Sequence, residues 1–300
     1  MKKYIVITGG AGFVGSNLIN LFLKKTDLKI ISLDNYSTGS KKNHILSKRI
    51  IYLRGHTRNI NLKLKKYKNR INCIFHFGEF SRIFQSFEYF NQCFESNSIG
   101  SKEVFKFCLD NKIKLVYSAT SATLGESGKD KHLSPYAFTK SNNLELLENL
   151  KKWFKLKFEV IYFYNVYGKN QIDIGEMATV IGIFENQYTN NLPLSVVRPG
   201  TQTRRFTHIS DTINICFKAW KKNKCSHYSI THKNSYSIIQ VAKMFQTKYV
   251  LLPQRKGERF ASALTNMSYN NRVIRHYGKI NLKDYITSFI KTKNKNYENS

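Results

Sequence analysis

An α/β fold built on a doubly wound parallel sheet, with a smaller mixed α/β C-terminal lobe, is predicted by the way two hydrophobic periodicities are arranged along the chain. In the first half, short β-branched or aromatic runs alternate with longer segments whose apolar residues recur at three- and four-residue spacing. The runs occupy 4–8, 29–33, 50–53, 73–77, 114–118 and 158–163. The segments between them include Leu18, Leu21 and Phe22, and later Val104, Phe105, Cys108 and Leu109. Such alternation sets successive strands parallel and covers both sheet faces with helices. After about residue 165 the pattern changes to isolated helices at 178–188, 211–220 and 238–245 and short strands at 194–197 and 249–252. The expected organisation is therefore a sheet domain over 1–168 and a second lobe over 169–290, from which part of 206–222 can return to the first. The polar tail 291–300 is expected to fray.

The 300 residues, with 41% hydrophobic and 14% aromatic content, can bury a full core. Four prolines and sixteen glycines are too few for a low-complexity or collagenous chain. A net charge of +30 raises the question of a nucleic-acid partner. The excess is mostly lysine spread from Lys2 to Lys295, and its densest stretches, Lys63-Leu64-Lys65-Lys66 and Lys221-Lys222-Asn223-Lys224, interleave with apolar residues at helical spacing. That pattern describes solvated helix faces, so no nucleic-acid partner is expected. The same charge would draw a diphosphate-bearing substrate into a cleft. The five scattered cysteines include no Cys-x-x-Cys pair, which argues against a disulfide framework or zinc site and suits a reducing cytoplasm. The apolar opening breaks at Gly9-Gly10, and no run approaches eighteen apolar residues, so no membrane span is expected.

Directly after the first strand comes Thr8-Gly9-Gly10-Ala11-Gly12-Phe13-Val14-Gly15-Ser16, which opens the first helix. Glycines there permit a tight turn and let a pyrophosphate approach the backbone, while the helix N-terminus offers free N–H groups and a positive dipole end. Asp34 follows at the end of the next strand, where a carboxylate can accept both ribose hydroxyls. The four residues after Asp34 include no Arg or Lys to meet a 2′-phosphate, so NAD is favoured over NADP.

Tyr136 and Lys140 stand four apart at the start of a helix predicted through Leu144, Leu147 and Leu150, which puts both side chains on one face. Pro135 suits a helix start. A phenol with its reference pKa of about 10 is a poor base near neutrality. An ammonium roughly 5 Å away, at an effective dielectric near 20, favours the phenolate by about 3 kcal/mol. The strand 114–118 leads into Ala119-Thr120-Ser121-Ala122-Thr123-Leu124-Gly125, whose hydroxyls lie at the carboxyl end of a central strand, where open α/β sheets bind ligands.

With these motifs in this order, the chain resembles the extended short-chain dehydrogenase/reductase family, in particular its NAD-dependent nucleotide-sugar epimerases and dehydratases. The resemblance spans residues 3 to about 260 and implies a Rossmann-like sheet with a C-terminal substrate lobe. It assigns to NAD the loop residues Gly9, Gly12, Phe13, Val14 and Gly15, and the ribose segment Asp34, Asn35, Ser37, Thr38 and Gly39. It adds Phe77 and Gly78 at a strand end and Asn97 in an Asn-x-x-Gly helix with Gly100. Thr120, Tyr136 and Lys140 take the catalytic positions, Tyr136 and Lys140 also touching the cofactor. Substrate contacts fall on Ser81, Arg82, Thr120, Asn165, Arg204 and Arg255, the two last clamping a diphosphate by bidentate bonds. No metal is implied, and a homodimer through helices near 97–111 and 135–150 is.

Several positions depart from the family's pattern. Gly55-His56-Thr57-Arg58 lacks the acid common near the adenine, Leu124 replaces a tyrosine, and Lys169-Asn170 replaces Pro-Arg. Gly78-Glu79 replaces two small residues, placing the segment Glu79-Phe80-Ser81-Arg82 toward the sugar. The family's 4,6-dehydratases use an Asp-Glu pair directly after the catalytic Thr, whereas Ser121-Ala122 here cannot shuttle a proton at neutral pH. Epimerisation at C4 of a UDP-sugar through a transient 4-keto sugar is the reaction that remains. Two alternatives stand beside it: a dehydratase recruiting Glu79 or Glu126, and a non-catalytic dinucleotide sensor.

Overall fold

A computed structural model describes residues 3–124, 131–254 and 273–298, with side chains as far as 294. In chain order the first half runs β1 (Tyr4–Thr8), α1 (Phe13–Lys25), β2 (Lys29–Asp34), β3 (Ile50–Arg54), α2 (Ile60–Leu64), β4 (Ile71–His76), α3 (Gln85–Glu88), α4 (Phe90–Phe94), α5 (Ser101–Asp110), β5 (Lys114–Thr120), α6 (Pro135–Phe154) and β6 (Phe158–Phe163). The second half runs β7 (Val166–Tyr167), α7 (Val180–Thr189), β8 (Leu194–Val197), β9 (Thr203–Arg205), β10 (Thr207–His208), α8 (Ile209–Trp220), β11 (His227–Thr231), β12 (Ser235–Ser237), α9 (Ile238–Met244), β13 (Tyr249–Leu252), β14 (Val273–Tyr277) and α10 (Leu282–Glu298).

Eight strands form one parallel sheet in the order β14-β11-β6-β5-β4-β1-β2-β3. The winding direction reverses between β1 and β4, so the connections leaving these neighbours part to opposite faces and open a crevice at their carboxyl ends. One face is covered by α2, α5 and α6 over a core that includes Val104, Phe105, Tyr117 and Leu147. The other is covered by α1 and α8, where Phe22 meets Phe75, Phe217 and Trp220 at ring-centroid distances of 5.1–5.4 Å. A third core, around Phe184, Val196, Phe245 and Ile286, joins α7, α9 and α10 to β8.

The predicted parallel sheet is present, and it takes more of the chain than the strand pattern indicated. Segment 209–220 returns to it as α8, packed on α1, and β11 and β14 extend it past β6. The expected fraying from 291 meets a helix that runs to Glu298. Its first turns are held by Leu282, Ile286 and Phe289, and Tyr285 packs its ring on Tyr167 at 4.9 Å, which nucleates a helix that the polar tail then continues.

Candidate active site

The glycine loop is shaped by contacts that leave no room for side chains. Gly9 adopts φ +69°, and a Cβ there would lie 2.9 Å from the backbone of Phe77 and Gly78. A Cβ on Gly15 would lie 2.2 Å from the Gly9 carbonyl oxygen, so α1 can start against the loop only with glycine there. Phe13 and Val14 pack from the first turn of α1 onto the core beneath. Asp34, at the end of β2, is buried; its Oδ2 accepts from Ala11 N at 2.9 Å and its Oδ1 from Tyr36 N at 2.8 Å. Burial raises its carboxyl above the ordinary range, opposed by those two N–H donors. Asn35 Oδ1 caps Ser37 N at 3.0 Å and leads into exposed Thr38, and Gly39 passes so close that a Cβ would touch the Asp34 carboxylate at 2.9 Å.

Gly9, Leu33, Asp34, Asn35, Gly55, His56, Thr57 and Gly78 line one cavity. A dinucleotide fits these residues: a side-chain-free loop over a helix N-terminus suits the pyrophosphate, and the carboxylate at the strand end suits the ribose. His56 stands where an acid was expected; its Nδ1 accepts from Arg58 N at 3.2 Å, and burial holds its imidazole below the usual range.

Behind the loop a hydrogen-bond chain joins the cofactor side to the catalytic helix. The Thr8 hydroxyl takes N–H bonds from Phe77 (3.1 Å) and Gly78 (3.0 Å) and meets His76 Nδ1 at 2.8 Å. His76 Nε2 lies 2.9 Å from Ser101 Oγ, which donates to Glu79 Oε1 at 2.8 Å. Glu79 Oε2 holds the ammonium of Lys140. Tyr117 OH and Asn143 Nδ2 add bonds to Glu79 Oε1 at 3.0 and 3.2 Å. Glu79 is thus the hub of a buried polar network and not a group facing the sugar, which corrects the placement expected from sequence. Its bonds also commit it against service as a dehydratase acid; Glu126, the other candidate, lies outside the described residues, as does Gly125.

Burial pushes the His76 imidazole down to about 4. Because the unfolded chain takes up that proton near pH 6.5, the group's full contribution to stability is present above about 6.5 and lost as pH falls toward 4. Between those limits wild type should lose about 3 kcal/mol that a His76→Gln variant does not. Urea unfolding at a series of pH values checks this, and equal pH slopes in the two proteins would exclude His76 as the source.

Asn97, expected at the cofactor, is fully buried and clamps the same wall from behind. Its Oδ1 accepts from Phe80 N at 2.7 Å and its Nδ2 donates to Phe80 O at 3.1 Å and Thr139 Oγ1 at 3.2 Å. Gly100 lets this turn close on the loop after β3, since a Cβ would lie 2.3 Å from Thr57 Oγ1.

Tyr136 and Lys140 lie in the first turns of α6, as the four-residue spacing requires. Ser134 caps the helix by accepting from Ala137 N at 3.1 Å, and Pro135 occupies the first turn. Both side chains are buried, at 8% and 3% exposure. Tyr136 clusters with Phe80, Cys93, Ala122 and Ala137, against partly buried Met177. Lys140 also donates to Ser118 O at 2.6 Å and lies 4.8 Å from the Tyr117 ring. Thr120 ends β5, and its Oγ1 accepts from Ala122 N at 3.2 Å in a turn that packs on α6.

Of the residues assigned to substrate, Ser81 is exposed and Arg82 reaches across to Met177 O, its Nε donating at 3.0 Å. Burial lowers the Arg82 guanidinium. Gln85 donates to Glu176 O at 2.6 Å and Tyr89 OH to Glu176 Oε2 at 2.7 Å, so the segment after β4 holds down the stretch before α7. Asn165, at φ +35°, donates to Arg205 O at 2.8 Å and thereby fixes β9, where Arg204 pairs in register with Tyr236 of β12. Arg255 lies outside the described residues. Ser101, Tyr117 and Asn143 were absent from the sequence-based site; Glu79 carried a signal, as a charge where a small residue was expected, but was placed toward the sugar.

Residues 5–231 match the profile of the NAD dependent epimerase/dehydratase family, covering the glycine loop, Glu79, Thr120, Tyr136 and Lys140. The chain belongs to that family. It is an NAD-dependent enzyme, and NAD is its cofactor. An ADP-L-glycero-D-manno-heptose-6-epimerase of Brachyspira hyodysenteriae is 28% identical over 260 residues, covering 82% of this chain and 81% of its own. The UDP-glucose 4-epimerase of Thermotoga maritima, solved with UDP-glucose, shares the fold at a TM-score of 0.85 and 20% identity, over 98% of this chain and 99% of its own. The dTDP-glucose 4,6-dehydratase DesIV of Streptomyces venezuelae does so at 0.84 and 18%, over 98% and 97%. No helix among the described residues is long and apolar enough to cross a membrane, and those residues contain no cluster of His, Cys, Asp or Glu able to hold a metal ion.

Proposed function

We propose that this family member interconverts nucleotide-sugar epimers, acting at C4 of a UDP-sugar through a transient 4-keto sugar. The observation that carries the reading is the composition of the site after β5. Thr120 is followed by buried Ser121 and Ala122, which have no acid to eliminate water, while Glu79 is spent on Lys140. A dehydratase therefore lacks its proton shuttle among the described residues, whereas an epimerase needs only Tyr136, Thr120 and Lys140. Both Tyr136 and Lys140 are present, which weighs against a non-catalytic sensor.

The loop at Gly9, Gly12 and Gly15 and the Asp34 carboxylate hold NAD, which when bound takes a hydride from the sugar carbon and returns it. Tyr136 accepts the proton of the sugar O4, with Thr120 bridging to that hydroxyl, and gives it back when the ketone is reduced on its other face. Lys140 anchors the nicotinamide ribose. Arg204, Arg255 and Asn165 hold the nucleotide diphosphate, and Ser81 and Arg82 border the sugar. Incubation with UDP-glucose, UDP-galactose and their N-acetyl counterparts, followed by chromatography, should give the C4 epimer of at least one. Absence of any C4 interconversion with NAD added would reject the reading. The relative acting at C6 of a heptose makes an ADP-heptose the informative alternative substrate in the same assay.

A homodimer in the cytoplasm completes the proposal. Phe90 and Phe138 are 50% and 38% exposed on adjoining helices, with Phe94 between them at 4.5 and 6.3 Å from their rings. Such an apolar patch favours a partner surface. Phe138→Asp should shift sedimentation velocity from dimer to monomer, and a wild-type protein that sediments as a monomer would refute this assembly.

A further inference from the structure

In a parallel sheet every strand starts at the same edge, and here that edge is a line of cations. Across the neighbours β11-β6-β5-β4-β1-β2-β3, each strand has a Lys or Arg as its first residue or within the three residues before it. The backbone ladder sets them side by side: Lys3 N donates to Arg70 O at 2.8 Å, Lys29 N to Lys3 O at 3.0 Å and Ile30 N to Arg49 O at 2.8 Å. At about 4.8 Å per strand the line is roughly 30 Å long. The helices leading into it end in more exposed lysines, Lys24 and Lys25 on α1, Lys152 and Lys155 at the end of α6, and Lys221 and Lys222 after α8. Lys25 and Lys221 both lie over the Phe217 ring, at 5.7 and 5.0 Å, which brings the ends of α1 and α8 together.

A cation near a helix C-terminus commonly serves the last carbonyls. Lys114 does so for α8, donating to Ala219 O and Trp220 O at 2.9 and 2.7 Å, and Arg49 does so for α1 at Leu23 O and Thr26 O. The rest of the line has no such use. Lys3, Lys29, Arg70, Lys157 and Lys224 are exposed, and among the described residues none of them pairs with a carboxylate. From the last turn of each of these helices to the strand that follows, the only acids are Asp27 and Asp110, and Asp110 is held by Lys106 at 2.8 Å. Like charges held this close repel one another, and an anionic surface relieves the repulsion.

Trp153 and Phe154 stand among these lysines at the end of α6, 61% and 57% exposed, their rings 6.2 Å apart and nearly perpendicular. An exposed indole flanked by lysines suits the headgroup layer of a bilayer, where amphipathic rings settle while ammonium groups stay in water. A nucleic acid is better served by the bidentate forks of arginine, and of the exposed line only Arg70 is an arginine.

We propose that the amino edge of the sheet, with Trp153 and Phe154, docks this protein on a bilayer surface rich in anionic lipid. The contact is peripheral: charge supplies the attraction and the two rings enter the headgroup layer. The crevice at Gly9, Asp34 and Gly78 opens at the opposite, carboxyl edge of the same strands, so a docked molecule keeps it toward water. Phe138 lies in the first turns of α6, at the other end of that helix from Trp153, and its patch stays available for a subunit contact. The inference stands apart from the reaction assigned to the site.

Co-sedimentation of the full chain with sucrose-loaded vesicles at physiological ionic strength tests it. Vesicles of phosphatidylcholine containing about one third phosphatidylglycerol should bind the protein about tenfold or more tightly than pure phosphatidylcholine. Salt at roughly 0.5 M should release it. The triple variant Lys152→Glu, Lys155→Glu, Lys157→Glu should lose about tenfold in affinity for the anionic vesicles. The triple variant Lys279→Glu, Lys283→Glu, Lys291→Glu makes the same change in net charge on exposed lysines of β14's far end and α10, and should lose much less. Trp153→Ala should weaken binding and abolish the blue shift of tryptophan emission on adding vesicles, since Trp220 is held by its Nε1 bond to Asn72. No tighter binding to the anionic vesicles, equal losses in the two triple variants, or a blue shift that persists in Trp153→Ala overturns the proposal. Retention of duplex DNA without vesicle binding overturns it too, assigning the edge to a nucleic acid. A Trp153→Ala protein that sediments as a smaller species than wild type would place the rings in a subunit contact and have the same force.

Discussion

Tyr136→Phe is expected to lower kcat by about three orders of magnitude while NAD binding and thermal stability stay close to wild type. Positioned proton transfer contributes roughly 10²–10⁴-fold, and the substitution removes only the group that performs it. The ring stays in its apolar cluster with Phe80, Ala122 and Ala137, so packing is retained. The obvious alternative, Lys140→Met, is a poorer test. It would leave the Glu79 carboxylate buried and unpaired, a defect that costs about 3–5 kcal/mol and confounds kinetics with folding. Turnover of the preferred UDP-sugar, beside NAD titration by fluorescence, checks the expectation. A Tyr136→Phe protein with more than a tenth of wild-type kcat would remove tyrosine from the mechanism.

The parts of this site that were legible in sequence are those whose chemistry is local. The glycine loop, Asp34, the strand end at Thr120 and the Tyr-Lys pair each lie within one strand-turn-helix unit, and backbone geometry alone fixes what they face. Strands β1, β6, β8 and β13 appear with the bounds their patterns indicated. Strand β11 was illegible because His-Tyr-Ser-Ile-Thr has too few apolar residues for a strand buried on both faces. Its histidine is satisfied from elsewhere: His227 Nδ1 meets Tyr162 OH at 3.0 Å and its Nε2 meets Glu148 at 2.9 Å. Strand β14 lies at the sheet edge, largely exposed, with little apolar pattern to read. Glu79 was misplaced for a related reason. A charged residue after a strand reads as solvent- or ligand-facing, and only the tertiary meeting of Lys140, Ser101, Tyr117 and Asn143 makes a buried carboxylate tenable there.

Among the glycines of the loop, Gly15→Ala should be the most damaging to cofactor binding, and the reason is which atoms a methyl would meet. At 2.2 Å from Gly9 O and 2.7 Å from Gly10 Cα, it strikes backbone that no side-chain rotation can clear. Either α1 withdraws from the loop, disturbing the packing of Leu18 and Phe22 beneath the sheet, or the loop lifts and its N–H groups lose their aim at the pyrophosphate. NAD affinity should fall about a hundredfold, close to 3 kcal/mol. Gly12→Ala is the internal control. The nearest atom to its Cβ would be Gly9 O at 3.2 Å, a contact that a few tenths of an ångström of adjustment relieves, so its loss should be tenfold or less. Isothermal titration with NAD ranks the two variants. Equal affinities would mean that the helix start yields freely, and that close approach of α1 to the turn at Gly9 is not what shapes the cofactor cradle.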